Sequence, residues 1–289
     1  MTPSMDEQIL ACDLGGTRLR VAVVDQRGSV GHKQVIATPA DDPTALVRLF
    51  KEVADRIEGD IAGAVVGVPG PVDYSRGVPL RLPNLPLWEG RVGSRSLAEA
   101  LGMPVLLAND ADLAALGEHR YGAGRGYQDM LYMTSSTGVG AGVVLNGRLL
   151  RGRLSIAEAG HTIIERATGK TVEALGSGTA LLRLSDEDPA SVSARAAAGD
   201  PEALQYFNDV AGAFAVGVFN LVHCFSPEVV VIGGGMSRSG DLLLNPIRKM
   251  LAECGGVCPS SRAVVVEAQG GDDVGLRGAA AFWAEGHGS

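Results

Sequence analysis

Asp13-Leu14-Gly15-Gly16-Thr17 ends an apolar run with a carboxylate and follows it with two glycines and a hydroxyl. Such a corner suits phosphate. Backbone N–H groups can reach an anion where no Cβ intervenes, and Asp13 can hold a hydrated Mg²⁺ through water. The competing reading is a tight hairpin in which glycine supplies unusual dihedrals and Asp13 caps the turn. A second glycine corner, Thr137-Gly138-Val139-Gly140-Ala141-Gly142, follows another apolar run. It lacks the terminal Lys-Ser/Thr of a P-loop and opens no helix, so neither the Walker nor the dinucleotide fingerprint applies.

Asn109-Asp110 lies between a predicted strand (105–108) and a predicted helix (111–121), at the strand's C-terminal end, where α/β sheets bind ligands. Asp110 is the candidate general base, with an N-terminal helix cap as the alternative for either residue. Asp112 points away from Asp110 on a helix and is the weaker candidate. Glu158-Ala159-Gly160-His161 and Glu173 set polar groups among small residues, suited to directed hydrogen bonds with hydroxyls. Gly233-Gly234-Gly235-Met236-Ser237 follows a buried apolar run and reads equally as a close approach to a flat ring or as a tight strand-to-helix turn.

The elements that must position these groups repeat. Residues 9–12 and 19–24 form strands, and the turn Asp25-Gln26-Arg27-Gly28 opens a third. Residues 130–134 and 140–145 form a similar pair, with Asn146-Gly147 as a hairpin turn. Two related lobes follow from the two copies. Helical spacing covers 43–57, 171–184, 202–224 and 274–284, and strands cover 61–68 and 229–232. The alternation makes the chain α/β.

At 289 residues, two lobes with a cleft between them is the expected organisation. Residues 1–110 form the first, completed by a C-terminal helix at about 274–289, and 111–273 form the second. The net charge of −8 with scattered basic residues argues against nucleic acid and membrane surfaces. No apolar run approaches the roughly 18 residues of a membrane span, so the chain reads as cytoplasmic. Cys12, Cys224, Cys254 and Cys258 have neither redox nor zinc spacing and read as free thiols.

Together these segments resemble the ROK (repressor, open reading frame, kinase) family of sugar kinases. The resemblance also rests on Gly67-Val68-Pro69-Gly70-Pro71-Val72-Asp73, on Pro83-Asn84-Leu85, and on Glu173-Ala174-Leu175-Gly176-Ser177-Gly178-Thr179. It implies a two-lobed fold like ribonuclease H and actin, with ATP, Mg²⁺ and an aldohexose meeting in the interlobe cleft of a homodimer. It implies Asp110 as catalytic base toward the sugar 6-hydroxyl, with glucose as the leading substrate and N-acetylmannosamine or another amino sugar as the alternative. Gly70, Asn84, Asn109, Asp110, Glu158, His161 and Glu173 match sugar-binding positions. Thr137, Gly138, Gly178, Gly234 and Gly235 match nucleotide-contacting segments, and Asp13, Gly15, Gly16 and Thr17 match the phosphate corner. The family's usual zinc run of cysteines between the histidine and the second glutamate is absent, so no zinc is expected. Repressor members carry a DNA-binding domain ahead of the first corner, where this chain has twelve residues. A catalytically idle sugar-binding regulator is the reading from another class.

Overall fold

Residues 7–57, 59–82, 84–155, 158–254 and 262–287 are described by the computed structural model. Pro83 and Cys258 of the sequence motifs lie outside them. The chain divides into two compact units: Met1–Gly122 with Arg148–Ile156 and Gly270–Ser289, and Ala123–Gly147 with Ala157–Gln269.

In the first unit, β1 (Gln8–Leu14), β2 (Arg18–Asp25) and β3 (Val30–Ala37) form an antiparallel meander. After α1 (Ala45–Ala54), β4 (Ile61–Val68) joins β1 in parallel. The short strands β5 (Val72–Asp73) and β6 (Val78–Pro79) form a hairpin, and α2 (Ser94–Leu101) leads to β7 (Val105–Asn109), parallel to β4. The sheet order is β3-β2-β1-β4-β7. Ile9, Leu10 and Ala11 are consecutive and all fully buried, so β1 is covered on both faces and reads as a continuous apolar run rather than an alternation. The helix α3 (Asp110–Tyr121) follows β7 directly.

The second unit repeats the plan. β8 (Met130–Ser135) pairs antiparallel with β9 (Val139–Leu145), which ends in a turn with Asn146 and Gly147 at φ 52° and 72°. The short strand β10 (Arg148–Leu149) follows in the chain and belongs to the first unit. A hairpin of β11 (Ile163–Glu165) and β12 (Lys170–Thr171) precedes α4 (Val172–Gly176), α5 (Gly178–Ser185), α6 (Pro189–Ala197) and α7 (Pro201–Phe225). β13 (Val229–Gly233) adds to β8 in parallel. After α8 (Asp241–Cys254), β14 (Val264–Glu267) adds to β13. The final helix, α9 (Val274–His287), packs on α3 and on β1 and β4 of the first unit.

Three expectations need correcting. The boundary at 110/111 is wrong, because α3 packs along α9 and belongs to the first unit, as do residues 148–156. The helix expected over 171–184 is two helices broken at Ser177. There Ser135 Oγ donates to Gly176 O, Gly178 N donates to Ser136 O, and the Ser177 hydroxyl caps α5 by accepting the Ala180 N–H. The backbone around Ser177 thus serves the glycine corner instead of one continuous helix. Finally, α7 is long and apolar enough by length and composition to cross a membrane. Its buried side chains, Phe207, Val210, Phe214 and Val218 among them, belong to the second unit's core, against α4, α6 and α8.

Candidate active site

The β1–β2 hairpin builds the first phosphate corner. Leu14 pairs with Leu19 and Asp13 with Arg20, so the register sets Arg20 opposite the carboxylate, and Arg20 Nη1 meets Asp13 Oδ2 at 2.5 Å. Burial raises the Asp13 pKa, while the Arg20 charge and hydrogen bond act downward. The guanidinium therefore favours the ionised carboxyl in a site that would otherwise resist charge. With one oxygen on Arg20, Asp13 suits the outer shell of a hydrated Mg²⁺ carried by a polyphosphate better than direct coordination.

Gly15 does not offer its N–H to a phosphate. That N–H donates to Arg18 O at 2.9 Å, and an added Cβ would fall 2.8 Å from the same oxygen, so Gly15 is a hairpin-turn glycine. Gly16 and Thr17 are exposed and form the open part of the corner. A Cβ on Gly16 would stand 2.9 Å from Asn84 Cβ, so the missing side chain lets Asn84 sit against the corner.

At the β7–α3 junction, Asn109 is the helix cap. Its Oδ1 accepts the N–H groups of Ala111 (2.9 Å) and Asp112 (3.1 Å), and its Nδ2 donates to Gly70 O at 3.0 Å. Gly70 has φ 82°, which orients that carbonyl. The cap reading holds for Asn109. Asp110 stands exposed in the first turn, where the helix dipole favours an anion, and its Oδ1 also accepts the Ala111 N–H at 2.8 Å. Asp112 is 1% exposed and accepts from the Tyr74 hydroxyl, which removes it as a base candidate.

The second unit gathers its own group. Glu173, in the first turn of α4, accepts the Val139 N–H at 2.9 Å, and a Cβ on Gly138 would fall 2.5 Å from the Glu173 carboxylate. A Cβ on Gly160 would overlap Val139 O, so the single 3₁₀ turn Ala159–His161 lies directly against the start of β9. Glu158 precedes that turn and His161 ends it, with Oε2 and Nε2 4.0 Å apart and side chains 41% and 71% exposed. Gly138, Glu158, His161 and Glu173 are thus brought to one corner. Thr137 O accepts the Thr179 hydroxyl, tying the corner to α5. Among the described residues no group of three or more His, Cys, Asp or Glu could hold a metal ion.

Gly178 departs from its expected role. Its N–H is committed to Ser136 O, so it cannot also donate to a nucleotide. Gly234, at φ 86° with Thr134 Oγ1 2.5 Å from an added Cβ, opens a 3₁₀ turn (Gly235–Ser239) and accepts from the Ser237 N–H and hydroxyl. Gly235 is exposed and an added Cβ would meet nothing within 4 Å, so packing does not account for this glycine. Arg20 and Tyr74 were missed from the sequence. The hairpin register, 13 opposite 20, could have found Arg20.

Two units, each with an antiparallel pair extended by parallel strands and each with a glycine corner at the hairpin, define an α/β fold of the ribonuclease H and actin class. The ROK family model matches residues 9–286, and the chain belongs to the ROK family. It is 32% identical to the glucokinase of Thermotoga maritima over 95% of this chain and 96% of that protein. A ROK hexokinase structure from Thermus thermophilus matches 98% of this chain and 100% of its own, with 34% identity and a TM-score of 0.84. A ROK glucokinase from Streptomyces griseus, solved with glucose and AMPPNP, matches at 30% identity and a TM-score of 0.79, over 95% and 98% of the two chains.

Proposed function

We propose that the protein is an ATP-dependent hexose kinase that phosphorylates the 6-hydroxyl of glucose, with Asp110 as the base. The observation that carries the reading is an exposed carboxylate at the first turn of α3, beside the Asn109 cap, in a ROK chain. The sugar oxygen attacks the γ-phosphorus; the new O–P bond forms as the bond to the β–γ bridging oxygen breaks, ADP leaves, and the hydroxyl proton passes to Asp110. In a loose transition state the carboxylate acts chiefly by orienting the nucleophile.

Asn84, Asn109, Glu158, His161 and Glu173 then take sugar hydroxyls. Gly16, Thr17, Thr137, Gly138, Gly234 and Gly235 lie along the nucleotide, and the Gly70 carbonyl serves by holding Asn109. Asp13 would hold a hydrated Mg²⁺, which supplies charge neutralisation on the phosphates. A cytoplasmic setting and a homodimer complete the reading by resemblance.

A coupled ADP-release screen over glucose, mannose, glucosamine, N-acetylglucosamine and N-acetylmannosamine tests it. Glucose should give the highest kcat/KM. Preference for N-acetylmannosamine would reassign the substrate, and sugar binding without ADP release would indicate a regulator.

Glu173 separates binding from scaffolding. Glu173→Gln keeps an oxygen for the Val139 N–H, so its melting temperature should match the parent, while the sugar KM rises about tenfold because a charge-assisted bond is lost. Glu173→Ala should raise KM further and also lower the melting temperature. An unchanged KM in both variants would remove Glu173 from the sugar site.

A further inference from the structure

Tyr74 follows the β5 strand and reaches the junction that carries Asp110. Its hydroxyl donates to Asp112 Oδ2 at 2.5 Å and accepts the Asn109 N–H at 3.3 Å. These two partners flank Asp110 in the sequence. One phenol therefore grips the last residue of β7 and the first turn of α3 together. We propose that Tyr74 is a positioning residue for phosphoryl transfer, its hydroxyl fixing the β7–α3 junction from which Asp110 projects. The inference rests on the sugar-kinase reading with Asp110 as base.

The support around Tyr74 suits that role. Its backbone N–H donates to Arg153 O at 3.2 Å. Ser155 holds the neighbouring Val72 twice, its N–H to Val72 O at 2.9 Å and its Oγ accepting the Val72 N–H at 3.0 Å. Arg151 lies over the Tyr74 ring at 5.8 Å and over the Phe282 ring at 5.2 Å, so residues 151–155 clamp the tyrosine from both its backbone and its ring. Burial, with the nearby Asp112 charge, pushes the phenol pKa up, so the hydroxyl stays a proton donor wherever the enzyme works. The ring fixes the hydroxyl; the hydroxyl fixes the junction. Misplacing a catalytic group by about 1 Å can cost roughly a hundredfold in rate, and that margin is what such a brace protects.

The test is Tyr74→Phe in the full-length chain, which keeps the ring and deletes only the two hydrogen bonds. We expect kcat for the preferred hexose to fall about 10- to 100-fold, with sugar KM within about threefold of the parent. In an Asp110→Ala background the same change should cost nothing further, because a positioning residue acts through the group it positions. Asp112→Asn retains an acceptor for the phenol and should keep activity within about threefold, whereas Asp112→Leu should lose as much as Tyr74→Phe. Parental kcat in Tyr74→Phe would overturn the proposal, as would an equal multiplicative loss on top of Asp110→Ala. Should Tyr74→Phe not fold, the Asp112 pair decides alone, with equal kcat in the Asn and Leu variants as the refuting result. An inactive parent protein would instead refute the kinase reading itself.

Discussion

Asp110→Ala is expected to lower kcat for hexose phosphorylation by about 10²- to 10⁴-fold, the usual span for a positioned general base, with sugar affinity nearly unchanged. The fold should tolerate the change. Asn109 remains to cap α3 through the Ala111 and Asp112 N–H groups, and the Ala111 N–H loses only the second of two acceptors. What disappears from stability is one favourable charge at a helix N-terminus, about 0.3–1 kcal/mol. A rate loss far larger than that therefore belongs to chemistry and not to unfolding. Steady-state kinetics combined with calorimetric titration of sugar into the variant separates the two quantities. Near-parental turnover would sink the assignment. Asn109→Ala is the instructive contrast: it removes the cap and should cost about 0.5–2 kcal/mol of stability as well as activity.

Much of this site was legible because its elements carry strong local signals. The strand before Asn109 and the helix after Asp110 follow from apolar runs and a capping residue, and the Asn146-Gly147 turn follows from its dipeptide. Asp110 was found because it stands at an element boundary, where type and spacing are informative. The illegible part is made of long-range pairings. No periodicity announces that Tyr74 meets residues 109 and 112, or that Glu173 accepts a hydrogen bond from Val139, because each partner is brought in by sheet topology.

The break at Ser177 was hidden for the same reason: the residues that pull it out of the helix, Ser135 and Ser136, lie on the glycine corner some forty positions earlier. α8 was missed through local chemistry instead. Pro246 sits inside it and reads as a helix breaker, yet Leu243, Leu244, Ile247 and Leu251 are buried along one side, and that packing outweighs the lost backbone bond. Glycine misled in a further way. Gly15 and Gly178 matched ligand-contacting segments, but the first is a turn residue and the second has its N–H bonded to Ser136. A glycine needed by the chain's own backbone looks, in sequence, the same as one needed by a ligand.

The largest stability effect should come from Gly278→Ala, far from any sugar. Propensity alone predicts stabilisation, since alanine in a helix interior is favoured over glycine by about 1 kcal/mol. Packing reverses the sign. Leu113 and Gly117 of α3 face Gly278 and Val274 of α9 in antiparallel order, four residues apart on each helix. A Cβ at Gly278 would overlap the Leu113 carbonyl oxygen, just as one at Gly117 would overlap the Val274 carbonyl. Backbone atoms inside a helix cannot rotate away as a flexible side chain can, so only lifting α9 off α3 relieves the overlap.

Overpacking of this kind costs about 1–3 kcal/mol or more, and here it should exceed the propensity gain, leaving a net loss of about 2 kcal/mol. Both tryptophans, Trp88 and Trp283, are buried in the first unit, so their fluorescence during urea unfolding reports on that unit. Gly275→Ala is the internal control. It lies in the same helix with nothing within 4 Å of an added Cβ, and should be neutral or slightly stabilising. Equal urea midpoints for the two variants would refute the close helix approach. Because α3 begins with Asp110, a displaced α9 should also depress kcat in whatever Gly278→Ala protein remains folded, linking the tightest packing of the first unit to the placement of its base.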